Sequence, residues 1–443
     1  MDDARQATRL DALGGRFDPW LLGCCITLAA FGVVMVGSAA VAGAGMDVGP
    51  WYFVSRHAMF LAAGLVLAGA LMRTELKFIE QRSQLLLLGC FALLLLVFVP
   101  GIGKTVNGAQ RWINLGVSNF QAVEAVKLLY IVWLASYLKR YSEDVAATWP
   151  AMLKPLGVAV LLVGLLLLQP DFGSSTLLLA ITGGMLVLGG VNLPRMSMPI
   201  VVGLPIFAFI AILEPYRMRR FTSFLDPWAD QLGSGYQLSN ALMAVGRGEW
   251  FGVGLGASVQ KLAYLPEAHT DFIMAVIAEE LGFAGVVLVV GLFALLGGRA
   301  FWLGLQCVEM RRHFAGYCAF GIALWMSLQS FVSIGVNLGL LPTKGLTLPL
   351  ISSGGSSVLM TCAALGLLLR VSYEYDRAAR QVAKLRGVAS GPAIGSAPHT
   401  SQLPSVPDVG RGTSRLRQRV EPSLGTREVA PDSPALVALR RSR

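Results

Sequence analysis

The sequence has little charge. Asp, Glu, Lys and Arg make up 14% of its 443 residues, where an ordinary soluble domain carries about 25%. With 55% hydrophobic residues and a mean hydropathy of +0.62, that shortage excludes an ordinary soluble globular domain. Histidine is scarce as well, at four residues. The six cysteines (Cys24, Cys25, Cys90, Cys307, Cys318 and Cys362) almost all fall within or beside apolar runs. They read as small hydrophobes and give neither a disulfide framework nor a metal-ligand spacing. A cleavable signal peptide is also missing. Residues 1–19 mix acids and bases, and the first apolar run, Trp20 to about Ala42, is too long for a signal h-region, so it reads as a retained first span.

What is present is a succession of apolar runs near the ~20 residues that cross a bilayer. Ten candidate spans begin near residues 20, 57, 84, 120, 155, 174, 197, 271, 314 and 349. Runs this long in lipid imply helices, because only helices and closed barrels satisfy the backbone there. The expected fold is an all-α polytopic membrane protein: an N-tail over 1–19, a ten-helix domain over 20–372, and a disordered basic tail over 373–443. The hydrophilic connections are 101–119, 139–154, 299–313 and the long 214–270. With the N-terminus inside, the inner loops and N-tail hold 13 Lys/Arg and the C-tail another 13, against nine in the outer loops. The positive-inside rule favours this orientation. Counted from Arg370, the tail carries 13 bases and six acids, and so most of the +10 net charge.

The outer bases are the exception to the charge rule. Arg217, Arg219 and Arg220 sit in EPYRMRRFTSFLDPW, and Lys104, Arg111, Arg247, Lys261 and Lys344 lie in outer loops too. Bases on the translocated side suit an anionic ligand such as phosphate, which Arg binds bidentately; pairing with Glu214, Asp226 and Glu267 is the alternative. Asp271, in LPEAHTDFIMAVIAEELG, stands at the outer mouth of the eighth span, where burial and nearby bases tune a carboxylate as a general base. Helical phase puts Asp271, Ala275 and Ala278 on one face and turns Glu279 and Glu280 away from it. His269 either caps the helix or orients Asp271, and a metal site finds no second histidine nearby. In NFQAVEAVKLLY, Glu124 and Lys127 share a helical face and can pair; intramembrane ionisable groups mark function by default. NLGLLPTKGLTLPLISSGGSS predicts irregular backbone at membrane depth. GIGKTVNGAQRWINLG predicts turns, with Arg111 and Trp112 as a cation beside a flat apolar face.

Taken in order, GAQRWI, QPDFG, RRFTSFLDPW, GSGYQL, GVGLGASVQKLAYLPEAHTDFI and LPTKGLTLPLISSGGSS resemble the SEDS family (shape, elongation, division, sporulation). MAVGRGEWFGVGLG followed by SVQKLAYLPEAHTDF is more similar to its cell-division branch than to its elongation branch. The resemblance runs over about 18–375. It implies a peptidoglycan glycosyltransferase that polymerises lipid II into glycan strands at the outer face of the bacterial inner membrane, at the division septum. Both termini would be cytoplasmic and the 214–270 loop periplasmic.

The family's catalytic aspartate carries over to Asp271. Its fourth-span Glu and Lys carry over to Glu124 and Lys127. Arg111, Arg217, Arg220, Lys261, His269, Lys344 and Ser356 complete the expected substrate-binding set. The implied partners are lipid II, a class B penicillin-binding protein (an FtsI-type transpeptidase) and other division proteins, with no nucleic acid. No dedicated metal cage is visible, and a divalent cation, Mg2+ or Mn2+, is left open as help for the pyrophosphate. The chain departs from the usual family pattern at Ala122 and Val123, at Ser353, and at Gln110. A lipid II flippase and a non-catalytic division scaffold are the competing readings. No clear internal repeat and charges clustered on one side weigh against a transporter.

Overall fold

A computed structural model of the chain describes residues 14–40, 51–106, 108–116, 118–262, 265 and 267–389, without the side chains of 210, 211, 216, 217 and 385–389. The described part is helical apart from one small sheet. The helices are α1 (Pro19–Ala40), α2 (Trp51–Arg73), α3 (Leu76–Gln81), α4 (Ser83–Leu96), α5 (Ala122–Ala147), α6 (Trp149–Leu168), α7 (Phe172–Leu188), α8 (Leu193–Ile212), α9 (Pro215–Leu225), α10 (Tyr236–Gly248), α11 (Ile273–Glu309), α12 (His313–Asn337) and α13 (Gly355–Ala389). Six of them, α1, α2, α6, α11, α12 and α13, are apolar and long enough to cross a bilayer. The apolar helices α4, α7 and the described part of α8 are shorter. Helix α5 is long but carries Glu124, Lys127, Lys139 and Arg140. The ten expected span starts each lie within about six residues of a helix start; reaching ten spans requires counting these shorter or charged helices.

The core is built from α5, α12 and α13, whose apolar residues are buried on nearly every face. A helix hydrophobic all round belongs inside a bundle. Trp325, Tyr130 and Lys127 are among the largest fully buried side chains. Peripheral helices instead turn Leu85, Leu88, Leu161 and Val201 outward, as lipid-facing surfaces require. Small residues let α2 and α13 touch: a Cβ on Gly366 would lie 2.6 Å from the Ala68 Cα, and one on Gly355 2.5 Å from the Phe60 ring. Close backbone approach of this kind is how helices associate in lipid.

Several connections are more ordered than the sequence suggested. Residues 101–119 hold strands β1 (Gly103–Val106) and β2 (Ala109–Asn114), and β3 (Asn119–Gln121) follows; the three form an antiparallel sheet in the order β1-β2-β3. Lys104 pairs with Trp112, and Trp112 with Gln121. Of the Asn-Gly step read as a turn, Gly108 lies between β1 and β2 with φ +77°, and Asn107 lies outside the described residues. Gln110 Nε2 donates to the Val97 carbonyl at 2.9 Å and ties the sheet to the end of α4. The 214–270 loop contains α9 and α10. Much of 139–154 and 299–313 is helical, because α5 and α11 run on past their apolar stretches. Helix α13 also runs through the boundary expected at 372 and ends at Ala389. Of the expected tails, 1–13 and 390–443 lie outside the described residues.

Helix α11 breaks at Gly282, whose φ is +65°. The break lets the chain after α10 lie against it. Phe283 and Ala284 donate to the Glu249 and Trp250 carbonyls, and Gly254 N–H donates to the Glu280 carbonyl at 3.1 Å. A Cβ on Gly248 would sit 1.8 Å from the Ala278 carbonyl oxygen. Gly248→Val is therefore expected to destabilise by about 3 kcal/mol, the upper part of the overpacking range, read as a lower melting temperature in detergent.

Candidate active site

Asp271 lies in the turn that leads into α11, outside the spanning helix. Because α11 starts at Ile273, the shared helical face of Asp271, Ala275 and Ala278 does not form. Asn337 organises the turn instead. This last residue of α12 accepts the Ala275 N–H (3.0 Å), which also donates to the Phe272 carbonyl (3.1 Å), and donates to the Asp271 carbonyl at 2.8 Å. The facing wall is the irregular segment 338–354 that the prolines and glycines predicted. Ser353 N–H donates to the His269 carbonyl (2.9 Å), and Ser352 Oγ donates to that of Thr270 (2.7 Å). These bonds bring Gly345 so close to the carboxylate that a Cβ there would lie 3.1 Å from Asp271 Oδ2.

Burial pushes the Asp271 carboxyl up to about 7; the Glu267 carboxylate adds to the rise and the Arg220 guanidinium opposes it. Arg220 reaches in from α9 and donates to the Thr343 carbonyl at 3.2 Å. Lys344, next along, holds its Nζ 4.0 Å above the Phe172 ring at the start of α7. His269 packs on Phe53 of α2, with ring centroids 4.3 Å apart. Burial lowers its pKa, Glu267 opposes that and Arg56 reinforces it. Asp271, His269, Arg220 and Lys344 thus lie at one end of the helices, where Arg56 of α2 also acts on His269.

Glu124 and Lys127 support the same wall from behind. Lys127, with 0% of its side chain exposed, bonds Glu124 Oε1 and Gln329 Oε1, each at 2.8 Å. Gln329 Nε2 donates to the Thr347 carbonyl (2.8 Å), and Thr347 Oγ1 bonds Ser357 Oγ (2.8 Å). Ser356 Oγ accepts the Gln121 N–H at 2.9 Å and joins β3 to the start of α13. Glu124 Oε2 is buried with no hydrogen-bond partner.

Other expected residues lie elsewhere. Arg111 donates to the Gln169 and Pro170 carbonyls and clamps the QPDFG turn to the sheet. In that turn Asp171 caps α7 through Ser174. Lys261 is buried against Glu280 (2.6 Å) and Ser38 (3.1 Å) rather than beside Asp271. Arg217 is on α9, and its side chain lies outside the described residues. The two glutamates in α11 have structural partners. Glu280 takes Lys261 and Ser38. Glu279 accepts from Arg247 (3.1 Å), Ser258 Oγ and the Val259 N–H (3.0 Å), pinning the loop after α10.

Asn337, Gln329 and Arg56 were not singled out from sequence. A polar amide inside an otherwise apolar helix was the available signal for Asn337 and Gln329. Arg56 could have been found as a base beside the start of the second span.

The family model FTSW_RODA_SPOVE, described as cell cycle protein, matches residues 19–377. A probable peptidoglycan glycosyltransferase FtsW of Xanthomonas oryzae pv. oryzae is 62% identical over 455 residues, covering 96% of this chain and 93% of that one. Its namesake in Coxiella burnetii is 48% identical over 361 residues, 81% of this chain and 97% of that one. Among solved structures, a chain from a study of the "structural coordination of polymerization and crosslinking by a peptidoglycan synthase complex" superimposes with a TM-score of 0.67 at 33% identity, over 81% of this chain and 98% of that chain. The rod shape determining protein RodA of Thermus thermophilus does so with a TM-score of 0.59 at 29% identity, over 80% and 96%. The chain belongs to the SEDS family of FtsW, RodA and SpoVE cell cycle proteins.

Proposed function

We infer that this multi-pass membrane protein is a peptidoglycan glycosyltransferase of cell division that polymerises lipid II on the outer side of the inner membrane. One observation carries the reading: a carboxyl poised near neutral pH, Asp271, faces the Gly345 backbone with Arg220 beside it. Asp271 takes the proton from the acceptor's GlcNAc 4-hydroxyl. The freed oxygen bonds to C1 of the donor's MurNAc, the C1–O bond to pyrophosphate breaks with inversion, and undecaprenyl pyrophosphate leaves. Arg220 and Lys344 stand where they offset charge on that leaving group, with Arg217 on the same helix as Arg220. Electrostatic stabilisation of this kind is often the largest catalytic term. Among the described residues no three His, Cys, Asp or Glu gather as a metal site, so Mg2+ or Mn2+ would have to be carried mainly by the pyrophosphate oxygens.

The reading extends to a class B penicillin-binding protein that cross-links the product, to work at the septum among other division proteins, and to cytoplasmic termini. A structural neighbour whose study couples polymerisation to crosslinking supports the first, and the distribution of basic residues supports the last. Incubating the purified chain and its cognate penicillin-binding protein with lipid II tests the activity. Glycan polymer without lipid II scrambling in vesicles is expected. Scrambling without polymer would favour a flippase instead.

A further inference from the structure

Helix α2 places Phe53 at the Asp271 end of the molecule and Arg73 at the other, twenty residues on. At ~1.5 Å per residue that is about 30 Å, the thickness of the hydrocarbon core. At this far end a cavity of ≈ 570 Å3 opens between α3, α4, α5, the α11–α12 turn and α13, and a recess of ≈ 270 Å3 shares Lys77, Arg312 and Glu374 with it. The larger cavity is lined by five bases, Lys77, Lys139, Arg140, Arg311 and Arg312, but only two acids, Glu80 and Glu374.

Both acids are already engaged. Glu80 binds Lys139 at 2.6 Å, and Glu374 binds Arg312 and Arg370 at 3.4 and 3.0 Å. Arg140 donates only to neutral oxygens, those of Ser83 and Ser136. Among the described residues Lys77 and Arg311 form no ion pair. The Arg311 backbone is held at φ +58°, a left-handed conformation that costs energy outside glycine and collects at ligand clamps. His313, also in the lining, keeps Nδ1 buried with no hydrogen-bond partner. Bases that serve only to orient a membrane protein need be no more than present on the loops. Here five of them surround a concave space whose carboxylates are spent.

We propose that this cavity is a phosphate site, filled by the phosphodiester headgroup of an anionic lipid from the adjacent leaflet. The excess of three positive charges suits a phosphate, which accepts several hydrogen bonds at once. The position at the hydrocarbon boundary, with Leu76 and Phe314 in the lining, suits a lipid source. Basic pockets between membrane helices on the inner side are a known way of holding such headgroups. The site is separate from Asp271 and does not depend on the proposed reaction.

Native mass spectrometry and thermal shifts of the full chain test it, with phosphatidylglycerol, phosphatidylcholine and inorganic phosphate as probes. The comparison variant is Lys77→Ser/Arg311→Ser, two exposed bases outside the polymerising site. Phosphatidylglycerol is expected to remain bound and to raise the melting temperature where phosphatidylcholine does neither. The double variant should weaken that binding about tenfold or more, for two lost charge-assisted hydrogen bonds. Displacement of phosphatidylglycerol by millimolar inorganic phosphate would uphold the phosphate site but overturn the lipid as its source. Equal phosphatidylglycerol binding by wild type and variant, or equal binding of the two lipids, would overturn the site itself.

Discussion

Asp271→Asn is expected to cut the initial rate of glycan polymerisation from lipid II by about 10²–10⁴-fold, the range a general base supplies. Asparagine keeps the side-chain shape and the backbone bond to Asn337, but it cannot take the proton from a hydroxyl. Loss of fold is not the competing explanation, and the sign of the pKa shift says why. The folded-state value of about 7 lies above the ordinary 3.8. The folded protein therefore holds a proton between those values that the unfolded chain has released. The stability linked to this group is fully present below the ordinary value and is lost as pH rises through about 7. An amide has no ionisation to oppose. At pH 8 the variant should melt no lower than wild type, and circular dichroism melts beside the polymerisation assay check both halves. A variant that polymerises at the wild-type rate would remove Asp271 as the base.

Lys127→Met should have the largest effect on stability. It leaves Glu124, buried in α5, without its cation, and breaking a buried pair from one side costs about 3–5 kcal/mol. The loss should spread beyond the pair. Gln329 loses the ammonium it binds, and Gln329 in turn holds the Thr347 carbonyl of the wall that carries Gly345. Polymerisation should therefore fall together with melting temperature. Glu124→Gln/Lys127→Met, with no buried charge left, should recover most of the lost stability. Single and double variants that melt alike would mean that the pair is not what holds this region.

Much of this was legible in the sequence because lipid leaves the chain few options. Apolar runs marked where helices start, and the prolines and glycines between Asn337 and Ser357 marked irregular backbone. Asp271, His269, Arg220 and Lys344 do lie at one end of the helices. Periodicity failed where backbone geometry took over. Asp271 lies two residues before its helix, so an assumed helical phase misplaced its neighbours. The sheet over 103–121 is too short and too polar to announce itself by alternation, although Asn-Gly marked its hairpin. Lys261 is an outer-loop base in sequence, yet the break at Gly282 folds the loop back so that it meets Glu280. That same fold accounts for the two glutamates in α11, whose partners lie on distant segments that no local pattern connects.

The most direct test of the account is the pH dependence of single-turnover polymerisation in wild type, Glu267→Gln and Arg220→Gln. The wild-type rate should rise with pH through a single ionisation near 7, as Asp271 loses its proton. Removing the Glu267 charge should move that midpoint to lower pH, and removing the Arg220 charge should move it higher, since the first raises the carboxyl's pKa and the second lowers it. A rate that does not change between pH 5 and 9, or a midpoint that neither substitution moves, would contradict Asp271 as the base of the reaction.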